Sequence, residues 1–133
     1  MNNEIEKRFA YTFLEKRIRD RIIFELASEE KRTTAIYRFS HTTEDIVKPS
    51  CIYRKTNDQQ FVSSEIYNLI DSKNCYVISS NREVDGVKTT VEKAISACVG
   101  FGMPSIIILN ESLVLIETEQ CYGAADKYIL HSK

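Results

Sequence analysis

No stretch of this chain stays apolar long enough to cross a bilayer. The longest aliphatic runs, residues 106–109 and 113–116, fall far short of the roughly 20 residues a spanning helix needs. The N-terminus, MNNEIEKRF, carries charges where a secretory leader would place its apolar core, which predicts a cytoplasmic chain with no membrane partner. Proline and glycine are scarce, at 2 and 4 residues. No Pro/Gly/Ser-rich linker and no low-complexity tract divides the sequence, so residues 1–133 read as a single domain. A domain of this length buries roughly two-thirds of its unfolded surface on folding.

A basic surplus is also missing. Lys and Arg number 18 against 19 Asp and Glu, for a net charge of -1, which argues against broad nucleic-acid binding. Cationic residues are absent altogether between Lys93 and Lys127, where Glu111, Glu117, Glu119 and Asp126 fall. Such a stretch is either a solvated acidic face or a surface that attracts a basic partner. Cys51, Cys75, Cys98 and Cys121 are widely separated, with no CxxC and no histidine at ligand spacing. That spacing argues against zinc and thioredoxin-like chemistry and predicts reduced, buried thiols. No metal and no cofactor is expected.

What is present is periodic. Asn3 followed by Glu6 has the spacing of a helix cap with an acid in the first turn. Apolar residues then step by four through Ile5, Phe9, Phe13 and through Leu14, Ile18, Ile22, Leu26, predicting one long N-terminal helix. Within it RIIFELAS also admits a strand paired with TAIYRFS across EEKRT; the four-residue steps favour helix. TAIYRFS (34–40) reads as a strand from its β-branched and aromatic content. CIYRK (51–55) reads as another strand, Asp58 as the cap of a helix ending near Lys73, and CYVIS (75–79) as a strand with neither face polar. SNREVDG is a turn-rich loop, tightest at Asp85-Gly86.

Thr89 or Thr90 caps the next helix, with Val91, Ala94, Ile95 and Cys98 on its buried side. The following Gly100-Phe101-Gly102 invites a phosphate-loop reading. Phosphate-binding glycines follow a strand and open a helix. These follow a helix and precede a strand, with Pro104 just beyond, so they read as a helix stop. SIIIL and LVLIETE, joined by Asn110-Glu111-Ser112, form the clearest hairpin signal. KYIL near the C-terminus reads as a last edge strand. The fold class is α+β, one domain with helices packed on a mainly antiparallel sheet.

Catalytic motifs are few. His41 and His131 lie outside any recognised constellation, and no GxSxG, HExxH or carboxylate-rich metal motif occurs. Two residues apart on a strand, Glu117 and Glu119 should share one face. There they could hold a divalent ion or share a proton, as in a small ligand- or metal-binding domain or an enzyme. Alternatively an acidic strand edge, with Tyr122 beside it and Asp85 in a nearby loop, would dock a basic nuclease cleft, the carboxylates standing in for phosphates.

The succession CYVISSNREVDG, a helix, GFGMPSIIIL and then an acidic strand, over residues 75–120, resembles small bacterial immunity proteins of contact-dependent growth inhibition systems. The resemblance implies a cytoplasmic, non-catalytic inhibitor that binds the C-terminal toxin domain of a delivered effector, often a nuclease. It transfers no binding residue. The expected toxin-binding set of Asp85, Glu111, Glu117, Glu119 and Tyr122 rests on charge placement alone.

Overall fold

The computed structural model describes residues 2–101, 103–119 and 125–132, with Gln59 by its backbone only. In chain order these form α1 (Asn3–Phe13), α2 (Lys16–Ala27), α3 (Arg32–His41), α4 (Thr43–Ile46), a 3-10 turn at Pro49–Cys51 and β1 (Ile52–Thr56). There follow α5 (Gln59–Leu69), β2 (Asn74–Ser79), β3 (Val87–Thr90), α6 (Val91–Cys98), β4 (Ser105–Asn110), β5 (Leu113–Glu117) and β6 (Lys127–His131). The strands make one antiparallel sheet in the order β1-β6-β5-β4-β2-β3. This is the α+β class expected, with the hairpin of β4 and β5 at its centre.

Because side chains alternate across a strand, each central strand supplies two cores. Tyr76, Ile78, Ile106, Ile108, Val114 and Ile116 face α1 to α4. Val77, Ile107, Leu109, Leu113, Leu115 and Ile129 face α5 and α6. A sheet covered on both sides needs apolar residues at successive positions, which is why β2, β4 and β5 lack an apolar–polar alternation.

The N-terminal helix is two helices. Leu14 and Glu15 leave helical geometry because the chain there pairs with residues 46–48: Leu14 bridges Val47, Glu15 N donates to Ile46 O at 2.7 Å, and Lys48 N donates to Phe13 O at 2.8 Å. The cap is Asn2, one residue earlier than expected, its Oδ1 accepting from Ile5 N at 3.1 Å. RIIFELAS is helical through Ala27, the end of α2, with Ser28 as its extended C-cap. TAIYRFS, expected as a strand, lies in α3. Ala35, Ile36 and Phe39 are buried there at helical spacing, so packing overrides the strand propensity of Ile, Tyr and Phe. KYIL lies within β6, an interior strand between β5 and β1 and not an edge.

Local signals held elsewhere. Asp58 Oδ1 accepts from Phe61 N at 3.0 Å to cap α5, and Thr90 Oγ1 accepts from Lys93 N at 3.2 Å to cap α6. α6 stops at Cys98, and Gly100 follows its C-cap with φ 95°. That left-handed conformation favours glycine, which confirms the helix stop.

Cys51, Cys75 and Cys98 are free and buried; Cys121 lies outside the described residues. Burial, followed by the proximity of Cys98, pushes the Cys75 thiol up to about 11, so it is protonated at neutral pH. An aromatic disulfide reagent should therefore label these three positions only as fast as the chain opens. After denaturation without reductant the titration should find close to four thiols. Finding none would mean two disulfides.

Candidate functional site

Two buried charged clusters tie the elements together. The first is built on Arg32 at the start of α3. Its Nη1 and Nη2 donate to the two Glu6 oxygens, each at 2.7 Å. Nε and Nη2 donate to the Asp85 carboxylate at 2.7 and 2.8 Å, and Nη1 also donates to Leu26 O at 2.8 Å. All five guanidinium N–H groups are thereby used. The carboxylates hold the guanidinium's pKa above its ordinary value, outweighing burial, which acts in the opposite direction. Tyr76 OH donates to Glu6 Oε2 at 2.6 Å, and Ser79 N donates to Asp85 Oδ1 at 3.0 Å. Asp85, expected in a docking surface, is thus a structural anchor between α3 and the β2–β3 turn.

The second cluster is a polar row across four strands, set by register. Ser79 pairs with Ser105, Ser105 with Glu117, and Glu117 with Lys127. All four are buried and lie on the α6 face. Ser79 Oγ and Ser105 Oγ are 2.7 Å apart. Glu117 Oε2 accepts from Gly100 N at 2.6 Å, so an amide of the glycine loop cradles the chain's own carboxylate. Glu117 Oε1 is 3.2 Å from Lys127 Nζ but off the hydrogen-bond direction. The contact is an ion pair without an aligned hydrogen bond, and Lys127 Nζ donates to Ala125 O at 2.9 Å.

This overturns the shared face of Glu117 and Glu119. Strand β5 ends at Glu117, so the two-residue alternation lapses before Glu119. Glu117 is 1% exposed on the α6 side, while Glu119 turns to α3, its Oε2 lying 2.7 Å from His41 Nε2. The two carboxylates form no joint metal site, and no group of three or more His, Cys, Asp or Glu among the described residues could hold a metal ion. Nor is β5 an edge; it lies between β4 and β6. Glu111 sits in the β4–β5 turn, six residues and roughly 20 Å along the strand from Glu117, paired with Arg8 at 3.2 Å. Tyr122 lies outside the described residues.

What the fold does assemble is an acidic cleft of about 410 Å³ between the α3–α4 corner and the far ends of β5 and β6. Four carboxylates line it, those of Glu44, Asp45, Glu119 and Asp126, against Lys55 and His41. Glu44 and Asp45 open the short α4 after the chain turns at Thr42. Glu119 is positioned by its own N–H, which donates to Ser40 Oγ at 2.6 Å. Thr118 Oγ1 donates to Asp126 O at 2.7 Å and fixes the opposite wall. Lys55 Nζ and Tyr128 OH both donate to Glu44 Oε2, at 2.6 and 2.7 Å, and these bonds hold its carboxyl below the usual range. Asp45 and Asp126 form no ion pair among the described residues. Of the expected docking residues that the structure describes, Asp85, Glu111, Glu117 and Glu119, only Glu119 lines this cleft. Glu44 and Asp45 were invisible as members because the segment before them reads as a strand and not as the helix that delivers them.

The chain matches no protein-family model, no curated protein and no solved structure. No helix among the described residues is long and apolar enough to cross a membrane.

Proposed function

We propose that this chain is an immunity-type inhibitor. It acts in the cytoplasm by binding the basic toxin domain, of nuclease type, of a contact-dependent growth inhibition effector, and it performs no catalysis. The observation that carries this reading is the convergence of Glu44, Asp45, Glu119 and Asp126 around one open cleft. Concentrated negative charge at a concave surface speeds encounter with a basic partner and disfavours neutral or acidic ones. The likeness of residues 75–120 to immunity proteins supports the same reading. Docking through this cleft replaces the strand-edge surface that charge placement alone suggested.

The test is co-expression with a nuclease-type toxin domain of a contact-dependent growth inhibition effector, sought among the genes adjoining this one. Cells should survive, and the two chains should co-purify as a stable complex. Glu119→Arg with Asp126→Arg should keep the melting temperature close to wild type, since neither carboxylate is buried in the core, yet lose protection. Protection without a physical complex would defeat the binding mechanism and favour an enzymatic antidote.

A further inference from the structure

On the α1 face one row of side chains crosses the whole sheet. Register links Ile52, Leu130, Val114, Ile108, Tyr76 and Lys88 in turn. The row is buried apart from its two ends: Ile52 on β1, half-buried, and Lys88 on edge strand β3, exposed. Above the Lys88 end, α1 lays Ile5, Phe9 and Phe13 across the sheet, and a groove of about 270 Å³ remains beneath the helix. Its depth is apolar, closed by Phe9, Phe13 and Ile108, each at most 9% exposed.

The groove mouth is polar and carries a net positive charge. Of its three charged residues, Arg8 and Glu111 neutralise each other at 3.2 Å. Lys88 has no ion pair among the described residues. Asn74, two residues before Tyr76 on β2 and so on the same face, stands diagonally across from Lys88. An apolar recess with an ammonium and an amide at its entrance complements one ligand chemistry: an apolar body ending in a carboxylate.

We propose that this groove binds a small amphipathic carboxylate. The hydrocarbon or aromatic body lies against Phe9, Phe13 and Ile108, and the carboxylate meets Lys88 and Asn74 at the mouth. The volume of about 270 Å³ falls just under the roughly 300 to 1,000 Å³ of most ligand sites, so the ligand is a short acid and not a long lipid. This site lies apart from the acidic cleft, with which it shares no lining residue, and stands independently of the inhibitor function.

The test is a titration of the isotope-labelled full chain with decanoate and decyltrimethylammonium, each below its micelle concentration, and with decanol below its solubility limit. Decanoate should shift the amide signals of Phe9, Asn74, Lys88 and Ile108 saturably. Decanol should bind at the same residues about tenfold more weakly, the effect of losing one charge-assisted hydrogen bond, and decyltrimethylammonium should not saturate. Lys88→Met should bring decanoate down to the affinity of decanol and leave decanol unchanged. Equal affinity for all three head groups would overturn the proposal. So would shifts confined to exposed apolar residues such as Phe24 and Phe101, or perturbation of the groove by a protein partner but not by decanoate.

Discussion

Replacing Arg32 with methionine should destabilise the fold by about 3–5 kcal/mol, because it leaves the buried Glu6 and the partly buried Asp85 charged without their cation. The network joins α1, α3, the end of α2, β2 and the β2–β3 turn, so its loss is felt across the α1–α4 layer. Arg32→Lys should fall between the two proteins. A lysine keeps the charge, but its three donors cannot reproduce the five-donor fork. Removing the orphaned charges as well, with Glu6→Gln and Asp85→Asn added to Arg32→Met, should recover part of the loss. Urea unfolding reads all of these as midpoint shifts at constant slope. A loss below about 1 kcal/mol for Arg32→Met would place the network among surface ion pairs in effect and contradict its buried geometry.

The second large effect concerns Glu117 and Lys127. Lys127→Met strands a carboxylate that is 1% exposed, with Gly100 N–H as its remaining close donor. A loss of about 3–5 kcal/mol is expected. Glu117→Leu should be similarly damaging, since it strands the ammonium. The double variant Glu117→Leu with Lys127→Met removes both charges and keeps the volume, so it should lie close to wild type or above it. The cycle therefore has a large favourable coupling between two individually harmful changes. Additive losses would mean that the two side chains do not meet in the folded protein.

Both clusters explain what could and could not be seen in the sequence. The hairpin of β4 and β5, the caps at Asp58 and Thr90, and the stop at Gly100 were legible because each depends on neighbours within a few residues. Helix α3 was not. Its segment alternates well enough for a strand, and only tertiary packing of Ala35, Ile36 and Phe39 selects the helix. The burial of Glu117 was hidden for a different reason. Its partners Gly100 and Lys127 come from a loop 17 residues before it and a strand 10 residues after it, through a register that local pattern does not specify. An apolar run with Ser, Glu or Lys at one boundary, the last residue of β2 and β5 and the first of β4 and β6, is the signal that could have revealed the polar row. The acidic cleft was half legible: the absence of Lys and Arg from residue 94 to 126 located Glu119 and Asp126, but Glu44 and Asp45 arrive from the other end of the chain.

The measurement that bears most directly on the inhibitor function is the association rate with the toxin domain as ionic strength is raised. Electrostatic steering through the acidic cleft predicts a fast rate that falls steeply with salt, because screening shortens the reach of its carboxylates. The Glu119→Arg, Asp126→Arg variant should associate at least about tenfold more slowly at low salt and lose most of that dependence. The same rate and the same salt slope for both proteins would contradict docking at this cleft.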